Sequence, residues 1–238
     1  MTTTQFITEK TEIRGDWQLA ITADMVLQRQ GAHPNKVRVR QPRLVALAER
    51  AIAAGKPWIR PQVAYQILKI QEVQPSLVIL TKDAQLIGSG IARKLVGADF
   101  LIMAVATIGP ELEQQILRVT KEEAAFAFAL DGCGTAAVGA LTIAIRRFFA
   151  EHARGRQLTT SAPVYPGTND WELAAAQSQL FSIVDASAIG VRLNSSFLMT
   201  PCKSVSLVIG VGRNMQSAGQ PCEECGSSAT CRHKLSES

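Results

Sequence analysis

Aromatic residues make up only 5% of this 238-residue chain, and it carries just 3 histidines. Each shortage narrows what the chain can do. Few aromatics leave little surface on which unpaired bases could stack, so nucleic-acid binding is disfavoured despite a formal charge of +5. His33, His152 and His233 are scattered, and their spacing builds neither a zinc-protease helix nor a Ser-His-Asp arrangement. A nucleotide phosphate loop is absent. Gly210-Val211-Gly212 lacks the third glycine of a dinucleotide fingerprint and lies inside a strand-like pattern. Repeats and low-complexity runs are absent too. The polar, Thr-rich stretch from Met1 to Glu12 leads into no apolar segment with a small-residue cleavage site, so a cytoplasmic location is expected.

What is present begins with enough apolar material for a substantial core, 47% hydrophobic against 19% charged residues. Five cysteines in an intracellular setting point to thiol, metal or redox roles rather than a disulfide framework. Cys222, Cys225 and Cys231 form a C-x2-C-x5-C cluster in a tail that also holds Gly219 and Gly226. The first pair has metal-chelating spacing, but three thiolates are one ligand short. Cys202 or His233 would complete a zinc site, and Cys202 an all-thiolate iron–sulfur cluster. Cys133, inside an apolar run, reads as a small buried hydrophobe. Positive charge is concentrated between Arg29 and Lys69, where Lys36, Arg38, Arg40, Arg43, Arg50, Lys56 and Arg60 are opposed only by Glu49. Such a patch is either a solvated basic face or a docking surface for an acidic partner.

Along the chain, Leu44, Leu47, Ala48 and Ile52 predict a helix from Arg43 to Ala54, stopped by Gly55-Lys56-Pro57. A second helix is predicted from Pro61 to Gln71, and a buried strand from Leu101 to Thr107. Gly109-Pro110 with Glu111 and Glu113 is a helix start, with Pro in the first turn and acids at the positive end of the dipole. Between Ala124 and Ile145 the single charge is Asp131, and the run is long enough for a membrane span. Gly132, Gly134 and Gly139 among many alanines favour close helix packing instead, and a lone Asp at mid-bilayer would be costly. The reading is a central buried helix ending at Arg146-Arg147, with Asp131 either structurally paired or lining a ligand cleft.

The segment from Pro163 to Met215 is the most distinctive. Tyr165-Pro166-Gly167 predicts a tight turn, and Asn169 and Asp170 stand where a helix cap belongs. Leu173, Ala174, Gln177, Leu180, Phe181 and Val184 then recur on one helical face. Two strands, Ile189 to Leu193 and Lys203 to Gly212, are expected around a polar turn at Asn194-Ser195-Ser196. Together these give an α+β signature.

The order of the Tyr-Pro turn, Leu193-Asn194-Ser195-Ser196, Met199, Pro201 and Lys203-Ser204-Val205-Ser206 resembles the activation domain of vitamin B12-dependent methionine synthase. It is more similar still to short stand-alone homologues of that domain in anaerobic corrinoid methyl-transfer pathways. Thr107-Ile108-Gly109-Pro110-Glu111-Leu112-Glu113 and the run from Leu130 to Val138 look like two further landmarks of that group. The resemblance implies a single α+β domain over residues 1–215, with a mainly antiparallel sheet flanked by helices, and a Cys-rich tail over 216–238. It further implies an accessory protein of corrinoid-dependent methyl transfer. Such a protein docks a cobalamin-carrying methyltransferase partner and binds S-adenosylmethionine for reductive reactivation. Ala162, Pro163, Tyr165, Pro166, Asn194, Ser195 and Ser196 would line the ligand pocket. The chain departs from the family at Thr160 and Val164, where an Arg and a Gly are usual, and at Ser195 and Gly139, where acids are usual. Replacing that Arg by Thr160 removes a bidentate carboxylate clamp. No cobalt-ligating D-x-H-x-x-G segment is present, so the corrinoid would come from the partner. The alternative is an iron–sulfur or zinc module, with Cys202, Cys222, Cys225 and Cys231 as ligands, serving electron transfer or partner docking without a small ligand.

Overall fold

The computed structural model describes residues 6–168 and 170–215. At its centre are three long strands, β2 (Gln62–Gln74), β5 (Phe100–Thr107) and β9 (Ser204–Gly212), joined antiparallel. Outward from β2 lie β3 (Leu77–Leu80) and β4 (Gln85–Ile87), with β1 (Glu12–Arg14) also on β2. β6 (Thr159–Thr160) closes the other edge on β9. A separate two-stranded hairpin pairs β7 (Arg192–Leu193) with β8 (Met199–Thr200).

The strand period of two assigns the central side chains to two cores. Val63, Tyr65 and Ile67, with Phe100, Ile102, Ala104 and Ala106, face one core together with Leu207, Ile209 and Val211. It is covered by α1 (Ala23–Arg29), α3 (Pro42–Gly55) and α6 (Ala124–Arg154), with α5 (Glu111–Val119) beside α6. Ala64, Leu68, Leu101, Met103, Val105 and Val208 face the second, which α4 (Ser89–Lys94) and α7 (Leu173–Ile183) cover. The remaining helix, α2 (Pro34–Arg40), contributes no buried residue.

Four expectations change. The helix predicted from Pro61 to Gln71 is strand β2. Both its faces are buried, so the polar–apolar alternation that marks a half-buried strand is missing, and eight residue pairs with β5 decide the matter. The expected strand from Ile189 to Leu193 begins only at Arg192, because Ala186–Ile189 forms a 3-10 turn. Its partner is β8, not the β9 strand. Helix α7 is capped at Glu172 rather than at Asp170, and no side chain bonds the cap. Helix α6 passes Arg146-Arg147 and continues to Arg154, carried by Phe149 and Ala153 on the same buried face as Ile145. By length and composition α6 could cross a membrane, but 56% of its most apolar stretch is buried inside this fold.

Candidate functional site

The chain leaving α6 turns back along the free edge of β9. Thr159 and Thr160 pair with Gly212 and Val211, the Ser161 amide donates to the Gly210 carbonyl at 2.8 Å, and Val164 exchanges two 2.9 Å bonds with Val208. With Val164 packed in the second core, Tyr165 takes the opposite face and packs, half-buried, against the first. The expected turn is present: the Thr168 amide and hydroxyl both donate to the Tyr165 carbonyl, and the Gly167 amide donates to Trp171, with Gly167 at a φ of 83°. Trp171, fully buried, anchors the far end. Its ring lies where a Cβ on Gly88 would stand, 2.8 Å from Cδ1, and Gly88 itself has a φ of 154°.

Ala162, Pro163, Tyr165 and Pro166 therefore share one sheet edge. Asn194, Ser195 and Ser196 form the exposed tip of the β7–β8 hairpin. There Asn194 Oδ1 accepts from the amides of Ser196 (2.9 Å) and Leu198 (3.0 Å), which leaves Ser195 and Ser196 to present their hydroxyls to solvent.

Between that edge and α6 lies a cavity of about 240 Å³, lined by Ile143, Arg146, Arg147, Ala150, Thr160, Ser161 and Ile209. Sequence reasoning missed its two arginines by reading them as the end of the helix. The signal was the apolar spacing Ile145, Phe149, Ala153, which carries the helix past them. Arg147 Nε lies 3.0 Å from Glu151 Oε1, whereas Arg146 has no carboxylate partner among the described residues.

Two of the sequence landmarks meet at the other end of α6. Lys203 Nζ lies 2.7 Å from Asp131 Oδ1 and donates to Thr135 Oγ1 at 3.0 Å. Its amide donates to Glu113 Oε1 at 2.7 Å. The Lys203 stem fits over Gly134, where a Cβ would come within 3.2 Å of Cε. Asp131 is thus structurally paired. The neighbouring Cys202 is exposed, and partial burial of its thiol, together with the Glu113 carboxylate beside it, pushes its pKa up and favours the protonated form. Cys133 is fully buried, as expected, and burial pushes its thiol up to about 11. Cys222, Cys225 and Cys231 lie outside the described residues. Among the described residues, no three His, Cys, Asp or Glu side chains cluster as a metal site would require.

The basic segment is less uncompensated than its sequence suggests. Arg50 forms a bidentate pair with Glu123 at 2.7 and 2.9 Å and stacks on Phe126, and Arg38 pairs with Asp24. Lys36, Arg40 and Arg43 remain exposed on and after α2, around Val39, which is 83% exposed.

No protein-family model and no curated protein sequence matches the chain. Among solved structures, a crystal structure of the MetH reactivation domain bound to AdoHcy superposes with a TM-score of 0.58 over 92% of this chain and 85% of that one, at 10% identity. In fold, this α+β chain is similar to the reactivation domain of MetH.

Proposed function

We propose that the chain is an accessory protein of corrinoid-dependent methyl transfer that docks a corrinoid-carrying protein and holds an S-adenosyl ligand in the groove between α6 and the Thr159–Gly167 edge. The observation that supports this most is the extent of the fold likeness to a domain whose crystal structure holds AdoHcy. The groove fits such a ligand in kind: it offers a cation at Arg146, a hydroxyl at Thr160, and an apolar floor of Ile143, Ala150 and Ile209, with the aromatic Tyr165 further along the same edge. S-adenosylmethionine, when bound, supplies the methyl group. The work of the chain is to position it, since a donor held in line with its acceptor needs little acid or base assistance.

Calorimetry with S-adenosylhomocysteine and S-adenosylmethionine tests this directly. Binding to the wild type is expected, weakened by Tyr165→Leu, which keeps apolar packing against the core but removes the aromatic face. Absence of binding to the wild type would refute the reading.

Docking rests on the exposed cations of α2 and its neighbour. Charge reversal at Lys36, Arg40 and Arg43 should slow association with an acidic corrinoid protein at low salt. The difference should vanish near molar salt, where the Debye length is about 3 Å. An unchanged low-salt rate would move the docking surface elsewhere.

A further inference from the structure

Within the cavity beside α6 the charges do not balance. Arg147 is offset by Glu151 one turn further on, and the Ser161 hydroxyl is committed, accepting from the Gly210 amide at 2.9 Å and donating to the Ala162 carbonyl at 2.8 Å. Two polar groups remain without a partner among the described residues, the half-buried Arg146 guanidinium on one wall and the Thr160 hydroxyl on the other. A guanidinium is a rigid fork that matches a carboxylate through two parallel N–H bonds. Its position in a partly enclosed cavity with an apolar floor raises its value to an anion, because water competes less there.

The cavity, about 240 Å³, is partly open to solvent, so the groups on its walls rather than its size decide what it takes: a cation facing a hydroxyl across an apolar floor suits the acid end of an amino acid.

We propose that Arg146 is the anion anchor of the groove. It takes the carboxylate at the amino-acid end of an S-adenosyl ligand, while the nucleoside lies outside the cavity along the edge towards Tyr165. This rests on the functional reading above and adds to it a specific residue, supplied by the helix rather than by the edge strand. Thr160 sits opposite and hydrogen-bonds the same end of the ligand.

The two ideas fail differently in one experiment. Affinities of wild type, Arg146→Gln, Arg146→Lys and Arg147→Gln are measured by calorimetry for S-adenosylhomocysteine and for 5′-methylthioadenosine, which keeps the nucleoside thioether but has no carboxylate. Arg146→Gln should weaken S-adenosylhomocysteine roughly 10- to 100-fold, the range of a charge-assisted hydrogen-bonded pair, and leave methylthioadenosine within about twofold. Arg146→Lys should fall between, and Arg147→Gln should resemble wild type. Unaltered melting temperatures exclude a folding defect as the cause. Equal loss for both ligands, or loss with Arg147→Gln and not with Arg146→Gln, overturns the anchor while leaving ligand binding intact. A wild type that binds neither compound overturns the functional reading and the anchor together.

Discussion

The pair Lys203–Asp131 joins two segments 72 positions apart, and its two ends are unequally buried: 14% of the lysine side chain is exposed against 49% of the aspartate. That asymmetry predicts unequal consequences of breaking it. Lys203→Met keeps the stem over Gly134 and abandons a half-exposed carboxylate that water can solvate, so the cost should stay below about 1 kcal/mol. Asp131→Asn is close in size and helix propensity, but it leaves a largely buried ammonium with only the Thr135 hydroxyl and a neutral amide oxygen. The cost there should be about 2–3 kcal/mol, less than the 3–5 typical of a fully buried pair. The double variant should be close to Lys203→Met and more stable than Asp131→Asn alone, because removing the ammonium removes the reason for the penalty. Urea unfolding followed by circular dichroism gives all four stabilities. A larger loss for Lys203→Met than for Asp131→Asn, or strict additivity in the double variant, would refute the reasoning.

The buried Cys133 thiol, pushed up to about 11 in the fold against an ordinary 9.0, stays protonated where the unfolded chain has ionised. Its stabilising effect is complete below about pH 9 and is lost as pH rises towards 11. The stability advantage of wild type over Cys133→Ala should therefore shrink by about 2 kcal/mol between about pH 8 and about pH 10.5, and an advantage that stays constant counts against the burial argument. For the tail, anaerobically purified protein should carry zinc or the visible absorbance of an iron–sulfur cluster, and Cys222→Ser with Cys225→Ser should remove it. Metal-free wild type ends the idea.

The elements legible in the sequence were those whose signal is local. The start of α5 at Gly109-Pro110, the one-sided face of α7 and the Ala- and Gly-rich packing of α6 all follow from neighbours within a few residues. Strand β2 was not legible because both its faces are covered, so its run Val63-Ala64-Tyr65 with Ile67, Leu68 and Ile70 has no polar phase to reveal a period of two. The hairpin partner of β7 was not legible because β8 is only the two residues Met199–Thr200, too short to show a period of two, whereas the expected partner, the run Lys203 to Gly212, is long. At the site, the Tyr165 turn was visible in its residues, while the cavity was not. It arises where Arg146 and Arg147 on a helix come opposite Thr160 on a returning edge, a meeting that spacing does not encode. The neutralisation of Arg38 and Arg50 by Asp24 and Glu123 escaped notice for the same reason.

The three glycines of α6 act as notches. Gly132 admits Gln30 and Val26, Gly134 admits Leu112 and Lys203, and Gly139 admits the Arg29 guanidinium, each at a distance where a Cβ would crowd its guest. Five guest side chains, from α1 and its C-cap, from α5 and from the residue before β9, thus key the helix against rotation and sliding, much as teeth index a shaft. Arg146 lies about 10 Å beyond the last notch at 1.5 Å rise per residue, so its reach across the groove is set by parts that never touch a ligand. A methyl group added at Gly139 would displace only the flexible guanidinium of Arg29 and no backbone, so the other two notches should hold the helix, and with it the reach of Arg146, in place while the fold stays intact.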